Sequence, residues 1–144
     1  MEQSILKSTK KLLGVSLDDD SFDLDITTHI NSVFSNLHDL GVGSPLGFVI
    51  EDDTAEWGFL FLKPEEQKPM IAALRTYVYL KVRLLFDPPG TSFLLDAINK
   101  QIQELEWRIS VAREEAKWIA EQDLIVVDEF EGTIQGVIDG GDAY

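Results

Sequence analysis

Residues 70–98 have the sequence MIAALRTYVYLKVRLLFDPPGTSFLLDAI, which predicts one helix, a sharp stop and the start of another helix. Apolar residues recur at three- and four-residue steps through the first half and cover most of the helix circumference. Such a helix is buried, and its Lys and Arg residues argue against a membrane span. We therefore predict the central helix of a small domain, ended by the Pro-Pro-Gly turn. Its predicted core residues are Leu74, Tyr77, Leu80 and Leu84.

A second long helix is predicted after this turn, with Thr91 or Ser92 as its cap and its end near Trp118. Its apolar residues alternate four and three apart, as they do in the seam of a coiled coil. We expect this seam to pack on residues 70–86. Its predicted core residues are Ile98, Ile102 and Leu105.

The same long helix has a second apolar face. At about 100° per residue, Trp107, Val111 and Trp118 lie together on a side away from the seam. A helix with two apolar faces commonly contacts two neighbours. We interpret the second face as a subunit contact; the alternative is that the first helix or the C-terminal tail covers it.

Two shorter helices are predicted upstream of the central one. The first spans residues 2–13 and the second about residues 22–40, with Asp20 or Ser21 as the cap of the second. A glycine follows each helix and favours the left-handed conformation that ends helices. These glycines are Gly14 and Gly41, and the predicted core residues of the second helix are Ile30 and Leu37.

Residues 41–63 are predicted to be irregular, because glycines and Pro45 interrupt them. Residues 48–50, Phe-Val-Ile, predict one brief strand in this loop. The apolar run from Trp57 to Leu62 is too apolar to be left in water. We predict that it covers the central helix; the alternative is a place in a subunit contact.

The last residues of the chain, 119–144, differ in character from the rest. They contain short apolar runs and glycines but no helical stripe, and two short strands alone are marginal in water. The segment is either loosely ordered or completed by another chain through strand addition. We favour docking on another chain, because its apolar side chains would otherwise be exposed. Those side chains are Leu124, Ile125, Val127, Phe130, Ile134, Val137 and Ile138.

These patterns together predict a mainly α fold. We expect a small antiparallel bundle of about four helices, with an irregular loop or short strand near residues 41–63 and an extended C-terminal tail. At 144 residues the chain fits one domain with a sizeable core. We divide it into a helical core, residues 1–118, and a docking tail, residues 119–144.

The charge of the chain is strongly acidic and uneven. The net charge is −14, residues 12–62 hold ten acids and no Lys or Arg, and residues 119–144 hold seven acids and no base. A protein that binds a phosphate backbone needs clustered Lys and Arg, so this chain is a poor candidate for that kind of nucleic-acid binding. The acids either provide solubility or form a surface that repels nucleic acid or meets a basic partner.

No pattern of catalytic, cofactor-binding or metal-ligating residues is present in the sequence. The chain has no cysteine, which excludes disulfides, thiolate zinc sites and cysteine nucleophiles. The motifs of serine hydrolases, zinc proteases and dinucleotide-binding proteins are missing. Asp25 and His29 lie one turn apart without a third ligand at helical spacing, which is typical of a solvated helix face. The N-terminus lacks a secretory signal, so we expect the protein in the cytoplasm or in something assembled there.

Three stretches of the sequence resemble the head-tail connector family of tailed bacteriophages. They are ILKSTKKLLGV, DLDITTHINSVFSNLHDLGVGSPLGF and LRTYVYLKVRLLFDPPGTSFLLDAINKQIQELEWRI. The resemblance covers about residues 4–112, and its most specific parts are TYVYLKVRLLFDPP and INKQIQELEWRI.

The resemblance implies a head-completion adaptor of the virion neck. Proteins of this family are small and helical, and they assemble a ring, generally dodecameric, beneath the portal protein after DNA packaging. The ring extends the DNA channel, passes double-stranded DNA without specific binding and carries the next neck, stopper or tail-completion protein. The family implies no catalytic residue, cofactor or membrane contact. It also implies that a C-terminal segment docks on the portal, a role that position and apolar content assign to residues 118–144.

Two other classes of function remain open from the sequence alone. An acidic regulatory protein that mimics DNA and inhibits a DNA-binding enzyme would explain the charge, but not the apolar runs of the tail. A small hydrolase is disfavoured by the missing catalytic constellation.

Overall fold

The structure is a computed structural model that describes residues 3–42, 47–61 and 63–113. It contains helices α1 (Ile5–Leu13), α2 (Asp23–Asp39) and α3 (Lys68–Phe86), and a fourth, α4, over residues 92–113. Two 3-10 turns, Trp57–Leu60 and Pro64–Gln67, precede α3. The mainly helical fold predicted from the sequence is confirmed.

The chain separates into two compact units, Met1–Ser110 and Val111–Tyr144. The first unit contains α1, α2, α3 and most of α4. The boundary predicted from the sequence, after residue 118, lies outside the described residues.

Helix α3 is the centre of the bundle. Its buried residues extend round more than half of its circumference, because α1 and α2 both pack on it and α4 supplies a further apolar face. Asp87 N donates to Arg83 O over 2.8 Å in the last turn, and the two prolines that follow cannot continue the helical ladder. The buried residues of α3 are Leu74, Tyr77, Val78, Leu80 and Val82, and the predicted core residue Leu84 is partly buried.

Helices α1 and α2 both end in the way that their glycines predict. Gly14 and Gly41 have φ values of 81° and 85°, in the left-handed region. After α2, Val42 N donates to Leu37 O and Gly41 N donates to His38 O, which satisfies two carbonyls at the helix end. Val42 is 6% exposed, so this ending also returns an apolar side chain to the core.

The predicted cap of α2, by Asp20 or Ser21, is wrong. Helix α2 begins at Asp23 after Phe22, and no side chain caps it. Ser21 instead donates from both its backbone N and its hydroxyl to Asp19 Oδ1, so its side chain closes a turn before the helix. The first helix also starts later than predicted, at Ile5, with Ser4 Oγ accepting from Lys7 N over 3.2 Å.

The brief strand predicted at residues 48–50 is not formed. The side chain of Asn31 occupies the place of a partner strand: its Oδ1 accepts from Ile50 N over 2.8 Å and its Nδ2 donates to Ile50 O over 3.0 Å. Within residues 3–42, 47–61 and 63–113, β pairing is limited to an isolated antiparallel bridge between Ser4 and Glu56. Residues 48–50 are therefore held by the Asn31 amide rather than by a partner strand.

Trp57 attaches the same loop to the bundle. It is 1% exposed, its Nε1 donates to Ser8 Oγ over 2.9 Å, and its ring lies edge-on to Phe34 at 6.5 Å. Leu60 is buried as well, whereas Phe59 is exposed. Trp57 and Leu60 are therefore part of the core, which Trp57 joins through α1 and α2. That the run covers the central helix stays a prediction, and Leu62 lies outside the described residues.

A buried lysine joins α1 to α2. Lys10 is 2% exposed, and its Nζ lies 2.7 Å from Asp23 Oδ1. The same ammonium donates to Asp19 O over 2.7 Å and, more weakly, to Leu17 O over 3.5 Å. Because these oxygens surround the charge, the linker between the two helices is fixed at the end of the bundle where α2 begins.

Candidate functional site

Helix α4 presents one face to the core. Leu94 N donates to Thr91 Oγ1 over 3.3 Å, so Thr91 caps the helix as one of the two predicted candidates. Tyr77 OH on α3 donates to Glu106 Oε1 on α4 over 3.3 Å. This bond, together with the buried face of α4, orients the helix on α3. The buried residues of this face are Ile98, Ile102, Leu105 and Ile109.

The other face of α4 leaves a tryptophan in solvent. Trp107 is 67% exposed and Val111 is 37% exposed, while Trp118, the third residue predicted on this face, lies outside the described residues. Arg108 forms an ion pair of 2.6 Å with Glu104 beside Trp107. Covering the exposed part of one tryptophan contributes on the order of 3 kcal/mol before the costs of association. Trp107 is therefore a candidate anchor for a contact with another chain.

Tyr77 is buried and has a raised pKa. Burial of the phenol is the main cause, and the negative charge of Glu106 and the hydrogen bond to it act in the same direction. The phenol is therefore neutral at physiological pH and acts as a hydrogen-bond donor to Glu106. This arrangement positions α4 against α3, which is a structural role.

Two acids of the irregular segments, Asp19 and Asp52, have a lowered pKa. The hydroxyl and backbone N of Ser21 lower the pKa of Asp19, and those of Thr54 lower the pKa of Asp52. Both carboxylates are therefore ionised at neutral pH. Within the described residues no three His, Asp or Glu side chains are grouped so that they could hold a metal ion, and Asp25 with His29 forms no such site.

A second exposed apolar surface was not predicted from the sequence. It lies where α1 and α3 end and where α2 and α4 begin, and we name it the apolar end. Phe93 is the most exposed of its residues, at 83%. The sequence feature that could have indicated this surface is the run Phe93-Leu94-Leu95 at the start of α4. This run precedes the seam, and no helical turn lies before it for these side chains to pack on. The residues of the apolar end are Leu12, Leu17, Phe22, Leu85 and the run 93–95.

The tail residues predicted to dock on another chain lie outside the described residues, from Leu124 to Ile138. In the part of the chain that is described, the helices are too short or too polar to cross a membrane.

The match to known proteins falls on the helical part of the chain. No curated protein matches the chain, and no solved structure does. A family model described as "Phage connector protein" matches residues 5–116, which include α1, α2, α3 and α4 as far as it is described. The match spans most of the sequence, including both faces of α4, and the chain therefore belongs to the phage connector protein family.

Proposed function

We propose that this protein is a structural adaptor that assembles a ring under the phage portal protein, extends the DNA channel and carries the next neck or tail protein. The observation that carries the proposal is the family match over residues 5–116. Membership of that family supports a structural role at the head-tail interface of the virion. The exposed Trp107 and the acidic charge of the chain fit the ring and its channel.

The ring contact is assigned to the outward face of α4, with Trp107, Val111 and Trp118 as its residues. Trp107 is attached to a helix whose opposite face is packed in the core, so its ring is presented at a defined position. Ring assembly repeats one contact between different patches on successive subunits, until the rotation closes. A large side chain with two rotatable bonds loses little entropy when such a contact orders it.

Trp107→Ala tests this assignment. We expect light scattering to show weaker ring assembly, alone and with purified portal as a template, while the thermal unfolding midpoint of the monomer changes little. Val49→Ala is the matched control, because Val49 is 67% exposed, as Trp107 is, and lies in the segment between α2 and α3. If Trp107→Ala assembles as well as the wild type, the assignment of this face is wrong.

Portal docking is assigned to residues 119–144, by their position after α4 and their apolar runs. A chain ended after Trp118 keeps the residues of the compact unit Met1–Ser110. We expect it to show the helical signal of that unit but to lose binding to the purified portal. Unchanged affinity of the shortened chain for the portal would refute the role of the tail.

The acidic charge is proposed to serve the DNA channel. Carboxylates that line the lumen repel the phosphate backbone, so DNA slides through the ring without being held. The competing proposal, a DNA mimic that inhibits a DNA-binding enzyme, rests on the same charge of −14. Parallel pulldowns with the portal and with basic nucleases separate the two, since each proposal expects retention on one bait only. Electron microscopy of the protein mixed with portal then reports the presence and symmetry of the ring.

A further inference from the structure

The apolar end carries more exposed apolar side chains than the rest of the bundle. Seven of the twelve large apolar residues that are exposed in residues 3–42, 47–61 and 63–113 belong to it. Phe93 is 83% exposed and Leu85 is 54% exposed. Exposed apolar residues that occur singly need no explanation, but a group at one place marks an interaction surface.

Two segments that are far apart in the sequence meet to form this surface. The ring of Phe22, before α2, packs edge-on against Phe86, the last residue of α3, with their centres 5.4 Å apart. Lys10 holds the carbonyls of Leu17 and Asp19 at the same end. Helix α4 starts there too, since only residues 87–91 separate it from α3. The surface is thus supported by contacts between segments that are distant in the sequence.

The charge at the apolar end is mainly acidic. Residues 12–22 and 85–96 contain five aspartates, Asp18, Asp19, Asp20, Asp87 and Asp96, and no lysine or arginine, while the nearby bases of α1 are the buried Lys10 and the exposed Lys11. A second copy that bound through the same end would place aspartates against aspartates, which is unfavourable. Residues 119–144 of this chain are excluded for the same reason, because they carry seven acids and no base. The complementary partner is a different protein whose surface combines apolar side chains with Lys or Arg.

The other assigned contacts limit which protein this is. The portal is assigned to residues 119–144, and the neighbouring subunit is assigned to the outward face of α4. The next neck protein is the partner of the proposed adaptor that has no surface assigned to it.

We propose that the apolar end binds the next neck protein, through a patch on that protein where apolar side chains are surrounded by Lys or Arg. The inference rests on the proposed adaptor function and adds the surface and its chemistry. Phe93 and Leu85 supply the apolar contact, and the aspartates give the partner its orientation and speed its association at low salt.

The test compares two double variants of the full-length protein, with the portal and the next neck protein of the same phage as purified probes. Leu85→Ser with Phe93→Ser removes the two most exposed residues of the apolar end. Val49→Ser with Phe59→Ser is the control, since these residues are 67% and 61% exposed in the segment between α2 and α3. We expect the first variant to raise the Kd for the neck protein about tenfold or more. Its portal affinity and its circular dichroism should equal those of the wild type, and the control variant should bind both probes normally.

The charges are tested separately. Asp87→Asn with Asp96→Asn should weaken neck-protein binding several-fold at low salt and reduce the dependence of the affinity on salt. A salt dependence equal to that of the wild type would refute the part assigned to the aspartates.

The possible outcomes distinguish the inference from the adaptor function. If the wild type binds both probes and Leu85→Ser with Phe93→Ser still binds the neck protein normally, the inference is wrong and the adaptor function stands. Loss of portal binding, or loss of self-assembly in light scattering, would assign the apolar end to another partner and overturn the inference. A wild type that binds neither probe overturns both proposals.

Discussion

The attachment of the loop by Trp57 and Ser8 can be measured with a double-mutant cycle. Ser8→Ala removes the acceptor of the indole N–H, which is buried and 2.9 Å from Ser8 Oγ. A buried donor left without a partner costs about 1–3 kcal/mol. The other bond of Ser8, to Ile5 O, is duplicated by Thr9 Oγ1 at 2.8 Å, so its loss adds little. We therefore expect Ser8→Ala to lower the free energy of unfolding by about 2 kcal/mol.

Trp57→Phe supplies the second arm of the cycle. It removes the donor together with part of the ring, so it costs packing, about 2 kcal/mol, but leaves no orphaned N–H. Adding Ser8→Ala to Trp57→Phe should then cost close to nothing. The coupling between the two sites is expected to be about 1–2 kcal/mol, since the two side chains are in direct contact.

Urea unfolding followed by far-UV circular dichroism is the appropriate assay. Fluorescence is less suitable, because the chain has three tryptophans and one of them is mutated. With an m-value of about 2 kcal/mol per molar, Ser8→Ala should lower the midpoint by about 1 M in the wild-type background. An equal shift in the wild-type and Trp57→Phe backgrounds would mean that the indole N–H does not depend on Ser8, and the reasoning would be refuted.

Three further predictions follow from single contacts. Gly14→Ala should cost roughly 1 kcal/mol, because Gly14 has a φ of 81°, whereas Gly90→Ala meets open space without a left-handed φ and should be neutral; thermal melts compare the two. Asn31→Leu should cost about 1–2 kcal/mol and speed hydrogen exchange at the Ile50 amide, and unchanged exchange there would contradict the role of Asn31. The raised pKa of Tyr77 means that the folded state holds the phenolic proton more tightly than the unfolded state, so stability falls as the pH rises above the ordinary value of 10.0. Tyr77→Phe should make urea midpoints less dependent on pH in that range, and a slope equal to that of the wild type would count against the effect.

Local patterns of the sequence were sufficient for the helices and for one of the two exposed surfaces. The glycines after α1 and α2 end their helices because left-handed backbone is a property of the residue itself. The outward position of Trp107 follows from counting about 100° per residue from a seam that is apolar throughout. The helical repeat alone indicates which residues of a helix share its buried face, so these predictions needed no knowledge of other segments.

The apolar end and the loop needed the tertiary structure. Phe22 and Leu85 are more than 60 residues apart, and only the packing of α2 on α3 brings their segments to one end. The side chain of Asn31 competes with strand formation at residues 48–50, and no local signal at those residues reports a partner from another helix.

The amino-acid sequence by itself determined that this chain is an acidic helical connector with a buried central helix and an outward tryptophan. These features are local, because the helix period, the turn residues and the charge can be read from short stretches of the sequence. The tertiary structure decided that Lys10 is buried, that Trp57 is covered and that the residues from Phe93 to Leu95 stay in solvent. Burial of a side chain depends on which other segments pack against it. Other segments cover Lys10 and Trp57, whereas residues 93–95 are exposed.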